Sequence, residues 1–168
     1  MDVEDTCSET ELIRLIGKFI DPVAQAYQKP EDTAKPAGYF ALRSSADSRV
    51  LLLSQIRDNP VEKVAGRYRN ALEKGERLYA WHDRHGHVSS WQSRHVEGVL
   101  IPEMKQWGGA IFTERYILSF SGLPELADEA LMVIVAVKLG WLRLDQAMGI
   151  LMLSNNVIGL ELLTRFCA

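Results

Sequence analysis

The sequence predicts an α+β domain, an antiparallel sheet of two hairpins with helices packed on it. Three observations carry this. Two pairs of short apolar runs are each joined by a polar turn: Gly38–Arg43 with Arg49–Arg57, and Ala110–Phe112 with Tyr116–Phe120. Each pair is a hairpin signature. Apolar residues at 3.6-residue spacing fill the stretches around them, as helices require. With 168 residues, 47% apolar and 24% charged, the chain has the composition of one globular domain. Residues 38–140 are expected to form the sheet-bearing core. A helix at 8–28 precedes it and a helical pair at 143–167 follows.

The first helix opens on Ser8-Glu9-Thr10-Glu11, the form of a capping box. Leu12, Leu15, Ile16, Phe19, Ile20 and Val23 then mark one apolar face, reaching about Tyr27, and Pro22 is expected to bend the helix or start its second half. Lys29 to Ala37 holds two prolines and reads as a loop. The turn Ser44 to Ser48 closes the first hairpin. Asn59 then suits a helix cap, with Pro60 at the first helical position. Val61, Val64, Ala65, Tyr68, Leu72 and Tyr79 keep helical period, so this second helix should bury that face and end near Trp81.

Residues 82–107 are the least regular part. A short helix at Glu97–Lys105 and an extended run Val99-Leu100-Ile101 both fit them. Gly108-Gly109 leads into the second hairpin, whose turn is Thr113-Glu114-Arg115. Ser121-Gly122-Leu123-Pro124 opens a third helix that closes at Gly140. Leu144, Ala147, Met148, Leu151 and Met152 form one face of a fourth. Asn155 or Asn156 caps a fifth, with Val157, Leu160, Leu163 and Phe166 among its apolar positions. A lone hairpin is only marginally stable, so the two should join in one sheet.

Charge and cysteine narrow the function classes. Nineteen basic residues against 22 acidic give a net charge of −3. A chain that tracks nucleic acid carries a basic stripe, so no nucleic-acid partner is expected. The two cysteines, Cys7 and Cys167, cannot make a disulfide framework, and predict a reducing, cytoplasmic setting. The acidic N-terminus is not a signal peptide. The longest apolar run, Ala130 to Val137, is far below the ~20 residues that span a bilayer.

All four histidines fall between His82 and His95. Imidazole nitrogen binds transition metals and haem iron. His82, His85 and His87, around Gly86, would converge on a metal if the chain turned there. The plainer alternative is a polar loop whose histidines are solvated or cap the preceding helix. Trp81, Trp91 and Trp107 cluster in the same stretch, either lining a pocket or covering the sheet. Gly108 and Gly109 either shape a turn or let the backbone approach a ligand. Ser121 and Gly122 either shape the strand-to-helix turn or help bind an anionic group at the helix start. Glu125, Asp128 and Glu129 form an acidic cluster that the helix dipole alone explains. Met132, Met148 and Met152 read as core.

The stretch from Gly108-Gly109 to Ser119-Phe120-Ser121-Gly122-Leu123-Pro124-Glu125-Leu126-Ala127-Asp128-Glu129-Ala130 resembles the closing hairpin and helix of the GlcG-like, haem-binding-protein family of small domains. The likeness covers roughly residues 38–140. It implies a profilin-like or GAF-like sandwich used for ligand sensing or cofactor handling, with haem among the ligands. The two C-terminal helices lie outside it.

These readings converge on a non-catalytic domain that binds a small molecule or a cofactor, haem or a transition metal. The pocket is expected between the sheet and residues 82–109, with His82, His85, His87, His95, Trp91 and Trp107 around it. One alternative is an interaction module, a homodimer formed through the C-terminal helices. Another is a metal-assisted or acid–base enzyme using His82, His85, His87 and Asp128.

Overall fold

The computed structural model describes residues 8–168. Cys7 and the acidic N-terminal residues lie outside the described residues. Five helices surround a four-stranded sheet: α1 (Glu9–Tyr27), β1 (Gly38–Ser44), β2 (Val50–Ile56), α2 (Val61–His85), β3 (Ala110–Phe112), β4 (Tyr116–Ser121), α3 (Glu125–Lys138), α4 (Leu144–Leu153) and α5 (Val157–Cys167). The α+β class follows directly. The strand order is β2-β1-β4-β3 and every pairing is antiparallel. β1 joins the two hairpins, with Phe40 opposite Phe120 and Leu42 opposite Leu118. Residues 88 and 89 add a fragment of pairing beyond β3: Ser89 bridges Ile111, and the Phe112 N–H donates to the Val88 carbonyl.

Side chains on a strand alternate between faces, and here the alternation separates two kinds of packing. Phe40, Leu42, Ile111, Leu118 and Phe120 join one apolar core with α1 and α3. Ala110 and Ile117 instead meet Leu78 of α2. On that second face Ser119 donates to the Ala71 carbonyl, and Arg43 donates to the carbonyls of Leu72 and Ser48. Gly75 lets the Arg43 stem pass: a Cβ there would sit 3.1 Å from Arg43 Cδ.

α1 begins as expected, with the Ser8 hydroxyl accepting the Glu11 N–H, and it runs unbroken through Pro22. α2 departs from expectation. It extends to His85, where Gly86 in left-handed conformation (φ 68°) stops it. Pro60, not Asn59, occupies its cap position. Asn59 turns away to bond the Gly38 carbonyl and Arg67. Its buried face is Ala71, Lys74, Gly75, Arg77 and Leu78, while Val61 and Tyr68 are exposed. Small residues let α2 approach the sheet, and Tyr68 is used at the rim, edge-on to Tyr39 at 5.8 Å.

The segment between α2 and β3 contains two single 3₁₀ turns, Ser90–Ser93 and Pro102–Met104, rather than the α-helix or strand that were the alternatives. Arg77 fastens it. Its guanidinium donates to the Ser90 carbonyl, the Ser93 hydroxyl and the Trp107 carbonyl, and pairs with Glu73 at 2.6 Å.

α3 is buried all along 127–136, as an all-round apolar helix must be. The sheet and α1 cover one side, and α4 and α5 the other, through Ala147, Ile150, Leu151, Leu162 and Leu163. Met132 is core as expected, but Met148 and Met152 are exposed, a correction that follows from Ile150 taking the inward position. Glu129 is fully buried within this layer. It accepts from Ser89, Ser154 and Asn156, and Tyr27 of α1 donates to Asn156. Burial pushes its carboxyl above the ordinary range, against those three hydrogen bonds. Glu129 and Asp128 therefore do more than complement a helix dipole. Among the described residues, no helix is long and apolar enough to cross a membrane.

Candidate functional site

A cavity of about 380 Å³ opens between the first half of α2 and the β4–α3 turn. α2 contributes Lys63, Gly66, Arg67, Asn70 and Lys74, and the turn contributes Ser121 to Glu125. Trp107 and Asp128 complete the lining, most of which is apolar surface. The size lies in the range of small-molecule sites, roughly 300–1,000 Å³.

The floor is an ion pair. Lys74 Nζ donates to Asp128 Oδ2 at 2.9 Å and to the Phe120 carbonyl at 2.7 Å. Both side chains are 2% exposed. Asp128 Oδ1 accepts the Leu123 N–H at 2.9 Å, tying the turn to the pair. Burial raises the Asp128 carboxyl to about 6, although Lys74 and the Leu123 amide favour its charge. Gly109 makes this arrangement possible. It has φ 114°, and a Cβ there would lie 2.7 Å from Asp128 Cβ and 2.8 Å from Lys74 Nζ. Gly122 is just as constrained, because a Cβ would strike the Ala37 carbonyl at 2.0 Å.

The wall carries unbalanced positive charge. Glu125 is neutralised: its Oε1 meets Arg94 at 2.8 Å and its Oε2 accepts the Gly108 N–H at 2.8 Å. Arg67 bonds only the neutral amide of Asn59, at 2.6 Å. Neither Arg67 nor Lys63 has a carboxylate partner among the described residues. Partial burial lowers the Arg67 pKa, which nearby Asp128 and Glu62 oppose, and the guanidinium stays charged. Two cations thus border a cavity whose two acids are already satisfied. Such a site attracts an anion.

The structure divides the residues expected at the site. Trp107, Ser121 and Gly122 line the cavity, Gly109 packs under its floor, and Gly108 holds Glu125. The histidines lie elsewhere. From Arg67 to His82 the helix rises roughly 22 Å, at about 1.5 Å per residue. His82 stacks on Phe112 at 3.5 Å and its Nδ1 meets the His87 carbonyl at 2.8 Å. His85 and His87 stack on Trp81, at 4.9 and 5.4 Å. The expected metal set of His82, His85 and His87 is therefore not assembled: His85 and His87 come within 5.9 Å on Trp81, while His82 is held on Phe112 and at the His87 carbonyl. Among the described residues, no three His, Cys, Asp or Glu side chains could hold a metal ion together. His95 is exposed on a ladder rung with Gln106, and Trp91 lies under the Arg94 guanidinium at 4.1 Å.

The lining does not fit a haem. Haem iron takes His, Cys, Met or Tyr as axial ligand, and this cavity presents none of them. The residues that sequence reasoning missed are Lys63, Arg67, Asn70 and Lys74. Their signal was present as a polar stripe at helical spacing along α2, which Arg77 continues.

The class these features define is an α+β protein with an antiparallel sheet between helices and a cation-bordered cavity on one face. Comparison with family models, curated proteins and solved structures finds no match.

Proposed function

We propose that this protein is a non-catalytic small-molecule-binding domain whose ligand carries a carboxylate or phosphate. The observation that carries the reading is the cavity bordered by Arg67 and Lys63, two cations without carboxylate partners among the described residues, above the closed Lys74–Asp128 floor. Guanidinium and ammonium groups recognise such anions through charge-assisted hydrogen bonds. Trp107 and Leu123 offer apolar surface to the rest of the ligand. The likeness of residues 108–130 to GlcG-like binding domains points the same way, toward binding rather than catalysis, with a small anion in place of haem.

Titration with a panel of small phosphates and carboxylates, followed by melting temperature, is the test. A ligand that binds only the folded chain raises the melting point with concentration. Arg67→Ala should abolish the rise, measured against the variant's own ligand-free melting point because it also loses the bond to Asn59. No stabilisation by any anion, or stabilisation that Arg67→Ala leaves intact, would sink the reading.

A second reading, self-association through the C-terminal helices, is favoured by one observation. Leu144, Met148 and Met152 lie exposed along one side of α4, beside Val157 of α5. Light scattering against concentration decides it, and a strict monomer counts against it.

A further inference from the structure

A second cavity, of about 450 Å³, lies on the other side of the same turn. Five residues line both: Lys63, Arg67, Gly122, Leu123 and Pro124. The two chambers thus meet at Arg67 and Lys63. Lys63 and Pro124 are exposed, so this border is open to solvent.

The chambers differ in chemistry. The first is mostly apolar, with the Trp107 ring and Leu123 in its wall. The second is lined from α1 and the following loop by hydrogen-bonding groups, including Asp21, Gln25, Gln28, Asp32, Thr33 and Lys35. Its charges are mixed and partly occupied. Asp21 is paired with Arg57 at 2.5 Å, and Asp32 accepts the Ala34 N–H at 3.1 Å. Gln28 already donates to the Asp32 carbonyl, and Asp32 and Lys35 keep their charges, so the neutral groups it turns to an occupant include Gln25 and Thr33, which suit hydroxyl or amide groups.

Taking the anion reading above as its basis, we infer that the two chambers form one bipartite site for a phosphodiester that joins an aromatic ring to a hydroxyl-rich group. The order of the parts selects the linkage. Arg67 and Lys63 stand between the chambers, so an anion that they hold lies in the middle of the ligand. A carboxylate usually ends a chain. A phosphodiester carries its negative charge while joining two groups, and its two free oxygens suit a guanidinium. The ring enters against Trp107, and the hydroxyl-rich end enters beside Gln25 and Thr33.

Three monoanionic probes of equal charge test this: dimethyl phosphate, methyl phenyl phosphate and glyceryl phenyl phosphate. Isothermal titration calorimetry gives each dissociation constant. Affinity should rise in that order, and Arg67→Ala should weaken all three by about tenfold or more, as loss of a charge-assisted contact does. Trp107→Ala should remove the gain from the phenyl group. Gln25→Ala combined with Thr33→Ala should remove only the gain from the glyceryl group. Both of these residues are exposed, so the fold tolerates the change. If methyl phenyl phosphate binds but glyceryl phenyl phosphate binds no tighter, or its gain survives the double substitution, the bipartite site is wrong and the anion site stands. If no probe binds, the phosphodiester site falls, and the anion reading is decided separately by the panel of phosphates and carboxylates.

Discussion

On one face of the sheet Phe40, Leu42, Leu118 and Phe120 pack against α1 and α3 through apolar contact. On the other, Arg43 and Ser119 donate to α2 carbonyls and Ile117 meets Leu78, with Lys74 and Asp128 buried at one end. The first face stabilises the fold by removing hydrocarbon from water. The second spends part of that stability on buried charge, since desolvating an ion pair costs about what its attraction returns. The cavity opens on the second face. The difference teaches that α2 is held close to the sheet by small residues while its charged stripe serves the site.

This contrast can be broken from either side. Phe120→Ala and Lys74→Ala should each cost about 3–5 kcal/mol in denaturant unfolding, the first by leaving a void and the second by leaving Asp128 buried without its partner. Only the second should be rescued: Lys74→Met with Asp128→Leu restores most of the loss, because the pair is replaced rather than broken. A double variant no more stable than Lys74→Ala would contradict this account of the polar face. Gly75→Ala presses on Arg43 against the roughly 1 kcal/mol that alanine gains over glycine in a helix, so its net cost in the same measurement should be smaller than that of either substitution above.

The pH response sharpens the comparison further. Burial raises Asp128 from an ordinary 3.8 to about 6, so the folded chain holds this proton more tightly than the unfolded chain. Its contribution to stability is full below about 3.8 and is lost as pH rises through about 6. Glu129, also raised, acts in the same direction. Asp128→Asn should therefore flatten the decline in stability over that window, and an unchanged slope would assign it to Glu129 alone. The smallest effect is expected outside both faces. Met152→Glu should alter stability by about 0.5 kcal/mol or less, since the side chain is 65% exposed, and should reduce any self-association seen by light scattering.

Most of the secondary structure was legible because apolar spacing is a direct record of what a backbone buries. The strands, the hairpin turns and the face of α1 follow from it. α2 was misread for a physical reason. Its apolar residues Val61 and Tyr68 point to solvent, while Lys74 and Arg77 go inside. Burial of charge depends on a partner far along the chain, here Asp128, 54 positions away, and no local pattern announces it. Part of the site was legible for the opposite reason. Gly109 and Gly122 stand where no side chain fits, and glycine pairs and turns are visible in sequence even when what they approach is not. The histidines stand out by composition alone, and the rings of His82, His85 and His87 are stacked on Phe112 and Trp81.

The hydrogen bonds around Glu129 set a limit on how short the chain can be cut. Ser154 and Asn156 lie beyond residue 153, and Tyr27 lies before residue 38. A fragment ending near Gly140 would keep every strand yet strip a fully buried carboxylate of two of its three donors. It would also bare the side of α3 that Ile150, Leu151 and Leu162 cover. The sheet and its turn are thus no autonomous module to which helices were added. The smallest piece expected to fold runs from α1 to α5.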